Sequence, residues 1–225
     1  MVAVTVALLL APLAAGQPEP PPAACTPPRS TTLLENDRGR VYAAASGVDD
    51  TGRLDTYTCE FASGHTFQLD DDLNRAYRPP AMALAGDLFV FVLDFESRRT
   101  EVILGNLTEG SRAQQPRQRA ARFPPAFRSR DSSPYEAKVG SVAVSPRGGV
   151  AWISCPTPLP PSGNGAPYPT CSRPGHRDAV FKVDSHSRRL ERLDVGNRIH
   201  PRSLKLRGST LQWRSGRTSK RARLG

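Results

Sequence analysis

Apolar and polar positions alternate in short runs along this chain, and turn residues interrupt the runs every few positions. The segments Met82-Ala83-Leu84-Ala85-Gly86-Asp87-Leu88-Phe89-Val90, Val142-Ala143-Val144-Ser145-Pro146-Arg147-Gly148-Gly149-Val150-Ala151-Trp152 and Leu204-Lys205-Leu206-Arg207-Gly208-Ser209-Thr210-Leu211-Gln212-Trp213 share one outline. Each alternates on both sides of a Gly-containing turn, which predicts a tight hairpin with one face on a core. A second kind of hairpin comes as a near-repeat at an offset of ninety positions. Leu88 to Asp94 followed by Ser97 to Leu104 aligns with Ala179 to Asp184 followed by Ser187 to Leu193, and Asp, Ser, Arg, Arg and Glu coincide at five polar positions. Thr56 to Phe61 and Thr66 to Leu69, around Ala62-Ser63-Gly64-His65, repeat the outline with fewer identities. Joined end to end, the two kinds of hairpin predict units of four short strands at a spacing of roughly 35 to 60 residues.

Composition supports strands and turns over helices. The 225 residues include 22 Pro and 18 Gly, and these break nearly every window long enough for a periodic helix. The expected fold class is therefore all-β: antiparallel β-hairpins assembled into four-stranded blade repeats, as a partial or small β-propeller-like array. The alternative is a β-sandwich, because only three to four units can be counted and most closed rings contain more. On the alternations just quoted, residues 31 to 224 resemble the exported β-propeller proteins of the TolB-like or quinoprotein-like type found in high-GC bacteria. The resemblance implies radial blades and sites on the loops at one end of the strands. The chain departs from the wider pattern in having no Trp-Asp signature at a fixed blade position and in its uneven unit lengths.

The N-terminus adds a location. Val2 to Ala15 is an almost unbroken apolar run followed by Gly16, Gln17 and a Pro-rich stretch through Pro28. It reads as the apolar region of a secretory signal peptide, too short to span a bilayer, although no Lys or Arg precedes it. The expected organisation is a signal peptide at 1–16, a Pro-rich linker at 17–30 and a β domain at 31–225, with an Arg/Pro-rich flexible insertion at about 108–134. A lipidated Cys25 is disfavoured by Pro22, which stands where that signal takes leucine. An exported chain meets an oxidising compartment, and its four cysteines form an even set with three possible connectivities. Cys155 and Cys171 bracket a Pro- and Gly-rich loop that gains most from being tied at its base, which favours Cys155 with Cys171 and leaves Cys25 for Cys59. Neither Cys-x-x-Cys spacing nor histidines near the cysteines support a zinc site.

The formal net charge of +10 is carried almost wholly by arginine, for which high-GC codon usage is a sufficient background cause. Its distribution is lopsided. From Arg188 onward, twelve Lys and Arg side chains meet only Glu191 and Asp194, whereas Asp49, Asp50, Asp55, Glu60 and Asp70-Asp71-Asp72 place acid early in the chain. On strands such as Leu204 to Leu206 and Leu211 to Trp213 the charges are expected on the face away from the core. Export points such a face toward an anionic cell-wall polymer or another envelope protein rather than nucleic acid, for which no recognised module occurs.

Chemical signatures are few. His65, His176, His186 and His200 lack the i, i+4 pairing of a helical zinc motif, and no nucleophile elbow, P-loop or dinucleotide fingerprint occurs. Asp70-Asp71-Asp72 lacks the alternate-residue spacing of a calcium loop and reads as a solvated acidic turn. Asp94 and Glu96 form a carboxylate pair of unknown spatial separation, and Asn106-Leu107-Thr108 is a glycosylation acceptor only in a eukaryotic secretory route. No catalytic residue, cofactor or metal site is nominated. The function expected is a non-catalytic extracytoplasmic binding or interaction protein, secreted or in the cell envelope. A secreted carbohydrate-active enzyme and a structural envelope component are the alternatives.

Overall fold

The computed structural model describes residues 23–45, 54–69, 81–95, 99–107, 121–123, 135–158, 171, 178–187 and 189–225. The expected signal peptide, Asp70 to Asp72, Glu96, His176 and most of the 108–134 insertion lie outside these residues. Apart from one 3₁₀ turn at Ala23–Cys25, the regular elements are strands: β1 (Thr31–Glu35), β2 (Gly39–Ala45), β3 (Leu54–Glu60), β4 (Thr66–Gln68), β5 (Met82–Ala85), β6 (Leu88–Phe95), β7 (Arg99–Asn106), β8 (Ala121–Phe123), β9 (Tyr135–Val144), β10 (Val150–Pro158), β11 (Asp178–Val183), β12 (Leu190–Gly196), β13 (Lys205–Arg207), β14 (Thr210–Ser215) and β15 (Thr218–Arg223). They form four antiparallel sheets in which spatial order follows chain order. Sheet I is β1-β2-β3-β4, sheet II β5-β6-β7-β8, sheet III β9-β10-β11-β12 and sheet IV β13-β14-β15. The protein is all-β, and its described residues form four meander sheets rather than the two of a sandwich.

The predicted hairpins are present, but the two kinds differ in what they repeat. The Gly-turn segments form β5–β6, β9–β10 and β13–β14, the first and second strands of three successive sheets. The ninety-residue match instead sets β6–β7, the second and third strands of sheet II, against β11–β12, the third and fourth of sheet III. The matched polar residues therefore mark a common hairpin chemistry and not a common place in the sheet. In sheet IV, Gly208 (φ 57°) and Gly216 (φ 61°) each open a two-residue turn, supplying the positive φ that type II′ geometry needs at its first position.

Two local features differ from the expectation. The residues after Cys155 do not all leave regular structure: β10 runs to Pro158, with Pro156 opposite Ala137 and Pro158 opposite Tyr135. The partner on the other side, β11, pairs only as far as Ser154. Beyond that point no described strand pairs with β10 on this side, and prolines two residues apart turn both missing N–H groups toward it. The second difference is Ala121–Phe123, inside the Arg/Pro-rich interval, which pairs with β7 as the fourth strand of sheet II.

The sheets stack in chain order through their first strands, β1 against β5, β5 against β9 and β9 against β13. Three apolar cores fill the spaces between them, giving a propeller-like array. Val41, Phe89, Phe91, Ile103 and Leu107 join sheets I and II. Val90, Val102, Val144, Val150, Trp152 and Phe181 join sheets II and III, with Trp152 fully buried and its ring centroid 5.7 Å from that of Phe181. Ala151, Ile153, Val180, Leu204, Leu211, Trp213 and Leu224 join sheets III and IV. In each case the alternation places one set of side chains in one core and the intervening set in the next: Val150 and Trp152 face sheet II, and Ala151 and Ile153 face sheet IV. Each Val, Leu, Ile or Phe side chain so placed is held by roughly 1.5–3 kcal/mol of apolar burial.

Two disulfides staple the array. Cys25–Cys59 (Cα–Cα 5.4 Å) ties the 3₁₀ turn to β3, and Cys155–Cys171 (Cα–Cα 5.9 Å) closes the connection between β10 and β11. All four cysteines are buried.

Candidate functional site

Sheet IV has one face in a core and one in water. Its register sets Lys205, Gln212 and Arg221 in one cross-strand row, Arg207, Thr210 and Arg223 in the next, and Arg214 opposite Ser219 in a third. Residues directly opposite share a face, as do residues two apart along a strand. These eight therefore lie on one side, while Leu206, Leu211, Ala222 and Trp213 lie on the other against sheet III. Lys205, Arg207, Arg214, Arg221 and Arg223 are exposed, and the rows contain no carboxylate. Cations in adjacent rows stand about 7 Å apart along a strand, and neighbouring strands about 5 Å apart. The loop before β13 extends the face. His200, Arg202, Lys205, Arg207, Gln212 and Arg214 contribute to a groove of 470 Å³ on this side.

Contacts on the inner side hold this face in place. The Asp194 carboxylate on β12 accepts hydrogen bonds from Trp213 Nε1 at 2.8 Å and from Lys220 Nζ at 2.7 Å. Partial burial alone would raise the Asp194 pKa, but these two donors outweigh it and hold the carboxyl below its usual range. A second clamp grips the chain end. Asp184 accepts from the Gly225 N–H at 2.8 Å and from Lys182 Nζ at 2.8 Å, and Lys182 also donates to the Arg223 carbonyl at 3.1 Å. Burial again opposes ionisation of Asp184, and again the donors prevail and lower its pKa. Lys182 is partly desolvated, yet its bonds to Asp184 and Glu191 raise its pKa. The loop is fixed by His200 N–H on the Arg214 carbonyl and by Arg214 N–H on Ser203 Oγ, both 2.9 Å.

A second groove, of 360 Å³, runs along the first strands of sheets II, III and IV. Ala83, Leu84, Val142, Val144 and Leu206 are among its lining, whose single charged member is Lys205. Apart from that amine, it offers apolar surface.

The remaining sequence candidates are scattered. His65, His186 and His200 sit in separate turns, and among the described residues no group of three or more His, Cys, Asp or Glu side chains is placed to hold a metal ion. The backbone of Asp94 lies near the end of β6, opposite Thr100. Among the described residues no helix is long and apolar enough to cross a membrane. Sequence alternation located β13 and β14 but missed β15, where Thr-Ser-Lys-Arg-Ala-Arg has one apolar residue to betray its inner face. The signal was the Ser-Gly-Arg-Thr turn before it.

The fold and this face define the class: an all-β protein of consecutive meander sheets, with a cationic face on its last sheet. No family model matches the chain, and no curated protein matches it significantly. Among solved structures it is similar to a prolyl endopeptidase from a study of two such enzymes and their inter-domain dynamics, at 14% identity and TM-score 0.44, covering 86% of this chain and 28% of that one. It is similar to TolB from Acinetobacter baumannii at 14% identity and TM-score 0.40, covering 82% of this chain and 37% of that one. Similarity to the tricorn protease is at 10% identity and TM-score 0.35, covering 84% of this chain and 22% of that one. The chain thus spans well under half the length of each.

Proposed function

We propose that the chain is a non-catalytic extracytoplasmic binding protein that holds an anionic partner on the outer face of sheet IV. The observation that carries this reading is the set of five exposed cations on one regular sheet face, with no carboxylate among them. Alternation alone requires only polar residues on a solvated face. Uniform positive sign is an additional property, and it creates a field that attracts polyanions and repels other cationic surfaces. Two disulfides among buried cysteines support a location outside the reducing cytosol. The uniform positive sign of the sheet IV face turns that face toward an anionic partner.

The test is binding of a sulfated polysaccharide to the full chain across a range of salt. The expected result is an affinity that falls steeply with ionic strength, because exposed charges are screened over about 8 Å at physiological salt. Replacing Arg207, Arg221 and Arg223 together by Gln is expected to weaken binding at least tenfold with an unchanged circular dichroism spectrum. Undiminished binding by that variant would refute the assignment of the face.

A further inference from the structure

Among the described residues, sheet IV holds three strands where each of its neighbours holds four. In sheets I, II and III a fourth strand lies beside the third: β4 on β3, β8 on β7 and β12 on β11. In sheet IV the third strand is β15, and among the described residues no strand pairs with its outer edge. Ser219, Lys220, Arg221 and Arg223 are all exposed. The strand is regular, pairing with β14 through six consecutive residue pairs without a bulge. The β12 edge, in contrast, carries a register irregularity opposite Val180 and Phe181 and mixes Glu191, Arg192 and Asp194.

The turn at Gly216-Arg217 fixes which backbone groups are open. In a two-residue hairpin the flanking residues, here Ser215 and Thr218, form a hydrogen-bonded pair, and the pattern then alternates. Thr218, Lys220 and Ala222 therefore bond inward to β14, while Ser219, Arg221 and Arg223 aim their N–H and C=O groups outward. The Arg223 carbonyl already accepts from Lys182. The open template is the N–H and C=O of Ser219 and Arg221, together with the Arg223 N–H.

We infer that the outer edge of β15, unpaired among the described residues, takes up an extended acidic peptide segment of a protein partner as a fourth strand of sheet IV. This rests on the reading of the sheet IV face as the binding face and names the partner's chemistry. A strand laid beside β15 shares its pleat, so side chains at alternate positions fall on the same side as Arg221 and Arg223, about 7 Å apart. Carboxylates at those positions meet the two guanidinium groups. The intervening side chains fall beside Ala222 and Lys220, whose charge Asp194 already meets, so these positions call for small or uncharged residues. The segment is thus an acidic residue alternating with an uncharged one over about five residues. A polysaccharide would satisfy the cations but leave the edge amides and carbonyls to water, whereas a strand satisfies both sets. A second copy of β15 is disfavoured because it would bring Arg against Arg, the device by which natural edges resist self-association.

The experiment uses the full chain and a fluorescent peptide of alternating Glu and Thr. Two further versions carry N-methyl groups, one on the Glu amides and one on the Thr amides. The three have the same charge, and in a strand the two sets of amides face opposite edges. The expected result is that the parent and one methylated peptide bind, while the other methylated peptide binds at least tenfold more weakly. Ser219→Pro removes one outward N–H of β15 and no cation, so it is expected to weaken the parent peptide at least tenfold and the sulfated polysaccharide by a much smaller factor. If the proline disturbs the sheet, polysaccharide binding falls as far, and the methylated pair decides alone. Equal affinity for the two methylated peptides, high or low, overturns strand addition while leaving the anionic-partner reading intact. Failure of peptide and polysaccharide alike overturns both.

Discussion

Asp194 and Trp213 stand on different sheets and are joined by a hydrogen bond of 2.8 Å between the indole N–H and the carboxylate. Because the same carboxylate also holds Lys220, one acidic side chain on β12 fastens β14 and β15 to sheet III. Replacing Asp194 by Ala strands the indole N–H in a largely buried position. A loss of about 1–3 kcal/mol is expected, read from urea unfolding.

The same residue sets a pH dependence. Its pKa is lower in the folded protein than in the unfolded chain, where an Asp titrates near about 3.9. Its stabilising contribution is therefore complete above that value and is lost as pH falls through the lower, folded value. Asp184 follows the same sign. Between about pH 4 and pH 2, thermal melting of Asp194→Asn should fall less steeply with acidification than that of the unsubstituted protein, the two differing most at neutral pH.

Gly149 lies against the chain end. A Cβ there would meet the Gly225 carbonyl oxygen and come within 3.1 Å of both Leu224 and Ser145 side-chain atoms. Gly149→Ala is expected to cost about 1–3 kcal/mol by overpacking. The displaced end would loosen Asp184's grip on Gly225, so amide exchange in β15 should accelerate more than in β6.

The disulfides offer a graded comparison. Cys155 and Cys171 are 16 residues apart, and Cys25 and Cys59 are 34 apart. In the chain-entropy account, loss of the first pair by double serine replacement costs about 3 kcal/mol and loss of the second about 4 kcal/mol. Guanidinium midpoints of the two double variants should rank in that order.

Trp152 is fully buried between sheets II and III and stacked on Phe181. Trp152→Ala is expected to cost about 3–5 kcal/mol, among the largest effects of any single truncation. Calorimetry on the oxidised protein would measure it.

Much of this architecture was legible where a turn glycine sat between alternating runs, as at Gly86 and Gly208. There the local chemistry fixes both the turn and which residues face inward, and the structure keeps both. The all-β class and an array of three to four short-stranded units followed from these segments. Short strands with few apolar residues were not legible: β8 has three residues, and β15 shows only Ala222 and the neighbouring Leu224 to its core. The ninety-residue match misled about position because the Asp, Ser and Arg of a hairpin turn answer to the turn and not to the strand's place in the sheet. For the candidate face, the inward set at Leu204, Leu206, Leu211 and Trp213 could be read directly. The cross-strand rows joining Lys205 to Arg221 and Arg207 to Arg223 could not, because register across a sheet depends on which strands become neighbours.

The three cores join the four sheets in a row, each core shared by two sheets successive in the chain. Such an array behaves as a line of nearest neighbours, in which an interior member forfeits two junctions on opening and an end member forfeits one. Of the four described sheets, sheet IV, which carries the cationic face, has one such junction, so it can come undone without dismantling the other three. A partner captured there would act as a brake on fraying. Its first signature would be slower hydrogen exchange at the C-terminal end of the molecule, well before any rise in the melting temperature of the whole.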